Sequence, residues 1–294
     1  MTLTTDQAVQ VDKGPPPDLA PDPPAPCPPT AGRGRGLAGL RALGWAAVGL
    51  AGLGLLWQLA AAASPDLPTP AEALKELWRL VSNPFYDNGP NDKGIGRQLL
   101  ISLRRVFTGF GIAAGLGIPL GLLMGASRRA WQAANPVVQL LRPVSPLAWF
   151  PIWLVMTKDP GKAAVYVICI TALWPTVINT AAGAAAIPRD QRNVALVFRF
   201  GRLAYLRHVL LPNALPQIVT GLRQSMGIAW MVIVAVEMLS SGGAGIGFFV
   251  WDSYNASNLA AVIAAILLIG AVGLVLDLLF LRLGRRVTLE EVHP

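Results

Sequence analysis

Six stretches of this chain are long and apolar enough to cross a lipid bilayer: residues 43–63, 99–126, 137–156, 163–187, 215–239 and 259–283. A hydrocarbon core about 30 Å thick takes about 20 residues of helix. Lipid offers no partner to a backbone N–H or C=O, so each stretch must close its own hydrogen bonds, which a helix does. Charged residues make up only 14% of the 294, against about 25% in a soluble domain. The expected fold class is therefore an all-α polytopic membrane protein with six transmembrane helices.

The formal net charge of +8 invites a nucleic-acid reading. Position argues against it, because the basic residues flank the apolar runs as the positive-inside rule requires. One side collects Arg33, Arg35, Arg41, Arg128, Arg129, Arg189, Arg192, Arg199, Arg202, Arg207, Arg282, Arg285 and Arg286; the other holds fewer, with Arg104 and Arg105 among them. That bias places both termini in the cytoplasm and makes lipid, not nucleic acid, the charge partner.

Residues 1–36 hold nine prolines and few apolar side chains. Such a segment cannot bury enough surface to fold, so a disordered Pro-rich cytoplasmic tail is expected there. The transmembrane domain then covers 37–285, and 286–294 form a cytoplasmic C-terminal tail. The first apolar run ends in Ala61-Ala62-Ala63, as a cleaved signal peptide does, but its acidic, overlong leader favours an uncleaved span. Residues 71–81 place Leu74, Leu77, Trp78 and Val81 on one stripe opposite charged residues, which predicts an amphipathic helix on the membrane surface. Gly111, Gly115, Gly117 and Gly121 give small-residue spacings at which helices approach closely. Pro119, Pro143, Pro146, Pro151 and Pro175 predict kinked or broken spans. After the fifth span, a glycine loop at 242–247 precedes a short interfacial helix.

Chemistry-bearing motifs are few. No phosphate-binding loop occurs, since Gly161-Lys162 lacks the upstream glycine and the following Ser or Thr. Catalytic and metal sites are expected to be absent, and no cofactor is expected in this chain. Cys27 and Cys169 are not expected to pair, and His208 and His293 form no ligand cluster. An intramembrane charge costs about 2.5–3.5 kcal/mol and by default marks function or a pair. Glu237, near one end of the fifth span, is thus a pathway or gate candidate. Asp277 is expected to pair with Arg282 or with a neighbouring helix. Arg104 and Arg105 either attract an anion to the pathway mouth or snorkel to headgroups.

The remaining signal is the basic segment between the fourth and fifth spans, DQRNVALVFRFGRLAYLRHVLLPNALP at 190–216. Arg192, Arg199 and Arg202 fall at helical spacing, with Leu196, Phe198, Phe200, Leu203 and Leu206 supplying apolar surface. Spacing alone allows a lever for a partner or an interfacial helix on anionic lipid. This segment resembles the cytoplasmic "EAA loop" of bacterial ABC-importer permeases. The family's aliphatic-x-Leu-Pro falls on Val209, Leu211 and Pro212. Its Glu-Ala-Ala falls on Asn193, Val194 and Ala195, and its glycine on Arg199. That departure is similar to the nitrate- and bicarbonate-type permeases, as is PFYDNGPNDKGIG at 84–96. Ser102-Leu103-Arg104-Arg105-Val106, Gly117-Ile118-Pro119-Leu120-Gly121, Ala235-Val236-Glu237-Met238 and Gly245-Ile246-Gly247 are similar to the wider nitrate/sulfonate/taurine family.

The resemblance implies a type I ABC-importer permease (MetI-like) fold in a bacterial inner membrane. It implies a homodimer, two cytoplasmic ABC ATPase subunits that bind ATP and Mg, and an external solute-binding protein. It makes 188–214 the ATPase-coupling loop, with Asn193, Val194, Ala195, Leu196, Arg199, Phe200, Arg202, Leu203, Val209, Leu211 and Pro212 at the contact. Nitrate or nitrite is the implied substrate, with bicarbonate, cyanate or sulfonate/taurine as alternatives. An ion-coupled secondary transporter is the reading from another class; it predicts inverted repeats, and none is visible.

Overall fold

The computed structural model describes residues 35–64, 66–89, 93–240 and 243–290, without the side chains of 35–43, Arg189 and 286–290. The expected Pro-rich tail lies outside them apart from Arg35 and Gly36, which open the first helix. The helices are α1 (Arg35–Ala63), α2 (Pro70–Ser82), α3 (Ile95–Ala126), α4 (Arg128–Leu141), α5 (Pro146–Thr157), α6 (Pro160–Ala185), α7 (Arg189–Val197), α8 (Arg202–Tyr205), α9 (Leu211–Leu239), α10 (Ile246–Asn255) and α11 (Leu259–Glu290). A π-helical turn, Leu206–Leu210, joins α8 to α9. The chain divides into two units: Met1–Leu53, described only as the first part of α1, and Gly54–Pro294, which holds the rest. α11 stays helical through Glu290, past the expected boundary at 285.

Five segments are long and apolar enough to cross a bilayer: Gly44–Ala63, Ile95–Ala126, Pro160–Ala185, Arg202–Leu239 and Leu259–Arg285. The expected third span is not one helix. It is the pair α4 and α5, bent by 93° at the break. Pro143 and Pro146 remove two N–H donors, and the residue before a proline is pushed out of the helical region. Ser145 accordingly sits at ψ 128°.

α3, α6 and α9 form the centre of the second unit, with α5 against α6, α10 and α11 against α9, and α2 against α11. α3 meets α6 along a four-residue ladder: Gly109, Ala113, Gly117, Gly121 and Gly125. A Cβ at Gly121 would lie 2.6 Å from the Thr180 Cβ, and one at Gly125 would lie 2.3 Å from the Ala181 carbonyl oxygen. The opposing residues Ile168, Ala172, Thr176, Thr180 and Ala184 repeat at the same interval and are buried. Without side chains on one ridge, the backbones close to contact, and dispersion holds them where lipid supplies no hydrophobic drive. Gly111 and Gly115, expected from spacing to serve this purpose, have nothing within 4 Å. They sit on another face of the same helix.

Polar links tie the remaining helices. Ser225 donates to the Ala172 carbonyl at 2.8 Å and also meets Thr176 Oγ1 at 2.8 Å. Arg223 on α9 holds Asp277 on α11 through two bonds of 2.6 and 2.8 Å, so the partner of Asp277 is a neighbouring helix and not Arg282. Trp230 donates to the Ile269 carbonyl at 3.0 Å. α2 opens with a capping box between Thr69 and Glu72. The Thr69 N–H, and then its hydroxyl, hold the Glu72 carboxyl below its ordinary value. Ala73 and Leu80 are buried, while Leu74, Trp78 and Val81 stay exposed, as a helix lying in a lipid surface requires. α10 does not merely lie on the surface: Ile246, Phe248 and Val250 are buried.

The ladder yields a contrast between two glycines of one helix. Gly121→Ala is expected to destabilise by about 1–3 kcal/mol through overpacking, whereas Gly115→Ala is expected to be neutral or slightly stabilising. Thermal denaturation of the two detergent-solubilised variants checks this. Equal melting temperatures would contradict the ladder.

Candidate functional site

Two clusters at opposite ends of α9 hold the residues singled out in the sequence. The first forms where α9 ends and α3 begins. Glu237, 1% exposed, lies one turn before the end of α9. Its carboxylate accepts from Arg105 Nη1 at 2.7 Å, Ser102 Oγ at 2.7 Å and the Gly247 N–H at 3.1 Å. Ser102 and Arg105 reach it because they share a face of α3 with Gln98, one turn apart. Gln98 accepts from the Gly245 N–H at 2.6 Å, and Ser102 Oγ accepts from the Ile246 N–H at 2.8 Å. Arg105 also donates to the Ala244 carbonyl. Three consecutive N–H groups at the start of α10 are therefore consumed by one buried acidic cluster.

The glycines of the loop are dictated by this carboxylate. Gly245 has φ +131°, and a Cβ there would lie 2.2 Å from the Glu237 carboxyl carbon. A Cβ on Gly247 would lie 2.1 Å from the Val234 carbonyl oxygen. Glu237 is thus enclosed by the loop and buried. Arg104 and Arg105 both border an open groove with Asp159, Lys162 and Tyr166. Asp159 caps α6 through the N–H groups of Gly161 at 2.8 Å and Lys162 at 3.1 Å. The Lys162 N–H bond foremost, with the Gly161 N–H and the Lys162 and Arg105 charges, holds the Asp159 carboxyl below its ordinary value. With Arg105 held by Glu237, Arg104 and Lys162 stand against one carboxylate and leave the groove net positive.

The second cluster is the basic segment. α7 ends at Val197, and the chain leaves it through a Schellman turn: Phe200 N–H bonds to the Ala195 carbonyl at 2.9 Å and Arg199 N–H to Leu196 at 3.1 Å. Arg199 occupies the left-handed position of that turn, with φ +50°. The expected glycine position of the EAA pattern is thus the position where backbone geometry favours glycine. It also corrects the expectation of one continuous helix carrying Arg192, Arg199 and Arg202 on one face. The helix stops between them, and α8 starts anew at Arg202.

The loop is anchored by few residues. Ala195, Val209 and Leu210 are buried against Ala184, Ile187, Ala214 and Ile218. Leu211 and Pro212 open α9; Pro212 has no N–H for the α-helical ladder, and the preceding turn widens to a π turn closed by Leu211 N–H on the Leu206 carbonyl. Asn213 Nδ2 takes up the Val209 carbonyl at 2.7 Å. Between these anchors, only Ala204 and Tyr205 are partly buried, Tyr205 against the same cluster, and the rest is left outside. Leu196, Val197, Phe198 and Leu203 are each 70–78% exposed, and Val194 and Phe200 are partly so. Asn193 and Arg202 are exposed as well. The sequence reading had missed Val197, which falls off the arginine spacing it used.

Removing the buried carboxylate strands Arg105, Ser102 and a loop N–H together. Glu237→Ala is expected to destabilise by about 3–5 kcal/mol. Thermal denaturation in detergent measures this. Wild-type stability would show that the carboxylate is not what holds the α10 loop to α3.

Residues 117–289 match the family described as "Binding-protein-dependent transport system inner membrane component". The chain is 47% identical over 232 residues to the nitrate import permease protein NrtB of Synechocystis sp., covering 79% of this chain and 84% of that protein. It is 45% identical over 232 residues to the bicarbonate transport system permease protein CmpB of Synechococcus elongatus, covering 78% and 84%. Among solved structures, an inward-facing MetNI methionine ABC transporter superposes with a TM-score of 0.59 at 18% identity, covering 66% of this chain and 95% of that one; that likeness concerns the fold, which is the MetI-like one expected. With most of its length matched by the family and by full-length permeases, this chain belongs to the inner-membrane permease components of binding-protein-dependent ABC transport systems.

Proposed function

We propose that this chain is the membrane subunit of an ATP-driven importer of a small planar oxyanion, nitrate or nitrite first. The single observation that carries the substrate is the identity of 44–47% with three NrtB nitrate import permeases over four-fifths of the chain. The charge arrangement supports an anion. Glu237 and Asp277 are each tied to an arginine, while Arg104 and Lys162 border the groove without a salt-bridge partner among the described residues. Bicarbonate is the second reading, because CmpB stands at 45% and bicarbonate is also a planar monoanion.

In this reading, both termini and the α7–α8 loop face the cytoplasm, and the Glu237 cluster faces outside. Segment 1–36 is a cytoplasmic tail, 37–285 the permease domain and 286–294 the cytoplasmic end. Two copies form the pathway at their two-fold axis, an external solute-binding protein delivers the anion, and two ATPase subunits bind ATP and Mg. The exposed apolar set, Leu196, Phe198, Phe200 and Leu203, seats in a groove of the ATPase, with Asn193, Val194, Arg199 and Arg202 at the rim. Ala195, Val209, Leu211 and Pro212 pass the motion into α9. ATP drives the change because it binds the outward-open state better; equal affinity for both states would shift nothing. The Glu237 cluster pins the outer ends of α3, α9 and α10 into one body, so that this body moves as a gate.

The test is uptake into proteoliposomes that hold the permease with its ATPase and binding protein. ATP-dependent accumulation of nitrate, competed by nitrite and weakly by bicarbonate, is expected. Accumulation of bicarbonate without nitrate would transfer the assignment to the second reading. Uptake that follows an ion gradient without ATP would overturn the proposal.

A further inference from the structure

A cavity of about 210 Å³ with a largely apolar wall and four polar side chains, Arg142, Thr171, Asn179 and Gln224, opens where the third span breaks, between α5, α6 and α9. Thr171 and Gln224, which line it, fall near the middle of α6 and α9. It therefore runs from mid-membrane depth to the level of Ile178 and Asn179, in the last third of α6, and shares no lining residue with the groove beside Arg104. Arg142, in the break itself, lines it, and is exposed with no ion pair among the described residues. A guanidinium left facing lipid at this depth would cost about 2.5–3.5 kcal/mol. The face it occupies must then border water or an anion.

The rest of the lining is rich in donors. Asn179 Nδ2 donates to the Pro175 carbonyl at 2.8 Å and to Gln224 Oε1 at 3.2 Å. That second bond engages the carbonyl oxygen of Gln224 and leaves its amide N–H groups free for the cavity. The indoles of Trp149 and Trp174 add apolar walls. Among the described residues, no carboxylate lines the space. A short flat anion accepts several N–H bonds in one plane, and a guanidinium matches it through two parallel N–H groups. α5 also starts at this cavity, at Pro146, and a helix start carries partial positive charge.

We infer that this cavity is a resting station for the transported oxyanion, held by Arg142 and Gln224, with Asn179 positioning the Gln224 amide. The inference rests on the small-oxyanion reading given above, and deepens it. It explains why a costly cation stands at the break of a span: α4 ends there, and the break puts Arg142 on the wall of this cavity.

The test uses the whole transporter in proteoliposomes with nitrate as the probe, or bicarbonate where wild type moves only that anion. Arg142→Gln is expected to lower maximal uptake at least about tenfold, the worth of one charge-assisted hydrogen bond. ATP hydrolysis should still be stimulated by the loaded binding protein. Arg142→Lys should recover part of the uptake, since it keeps the charge without the fork. Gln224→Leu should lower uptake in the same direction, and it decides the matter where Arg142→Gln does not assemble. Wild-type uptake in Gln224→Leu and in an assembled Arg142→Gln would overturn the station and leave a water-filled recess. Joint loss of uptake and of stimulation in assembled Arg142→Gln would overturn it too, marking Arg142 as part of the coupling. If wild type transports no small anion, the substrate reading itself fails, and that result appears before any variant is compared.

Discussion

The close approach of α3 to α6 is the constraint on which the other features depend. Four glycines and an alanine along one ridge of α3 allow the two backbones to touch over most of their length. A contact this long admits little sliding, because each Cβ of α6 sits against bare backbone. It fixes the height of Gln98, Ser102 and Arg105 at one end, where they meet Glu237. At the other end it fixes Ala181 and Ala184, beside which Ala195 and Val209 anchor the basic loop. One stiff pair of helices thus sets the position of both clusters, and α9, packed across α6, runs between them.

This geometry gives a physical account of coupling. The loop carries a large apolar surface on a thin anchor, and its exit into α9 is a π turn forced by Pro212. Such turns are seen at functional sites, where a helix must yield locally. At the far end of α9, the buried Glu237 makes the α10 loop, α3 and α9 move together. In the proposed coupling, a displacement applied to the loop would reach the opposite end of α9 through a single helix whose two ends are bonded differently: one loosely, one through a charge-assisted network.

Much of this was legible in the sequence, and for identifiable reasons. Apolar length gave the spans, since lipid leaves the backbone no alternative. The Leu-Pro of the loop and the pairing of Asp277 were readable because a proline and an intramembrane charge have few accommodations, though the choice between Arg282 and a neighbouring helix needed the packing. The face of α3 was legible in part: Gly117 and Gly121 do meet α6, but Gly111 and Gly115 fit short spacings equally well, and only packing shows which ridge makes the contact. The break at Arg199 was hidden for another reason: an arginine stands in a left-handed position that the residue itself does not advertise, so the arginine spacing suggested a continuous helix. The Glu237 cluster needed Gln98 and Ser102, polar residues within an apolar run. The spacing of 98, 102 and 105 is the signal that would have found them.

The central claim is that the exposed apolar surface of the basic loop is where the ATPase attaches. It is tested most directly by placing a photo-crosslinking residue at Leu203 in the assembled transporter and identifying what it captures. The account predicts capture of the ATPase subunit, abolished when the same residue is placed at the buried Val209. Capture of lipid alone at Leu203 would contradict it and return the loop to the membrane surface.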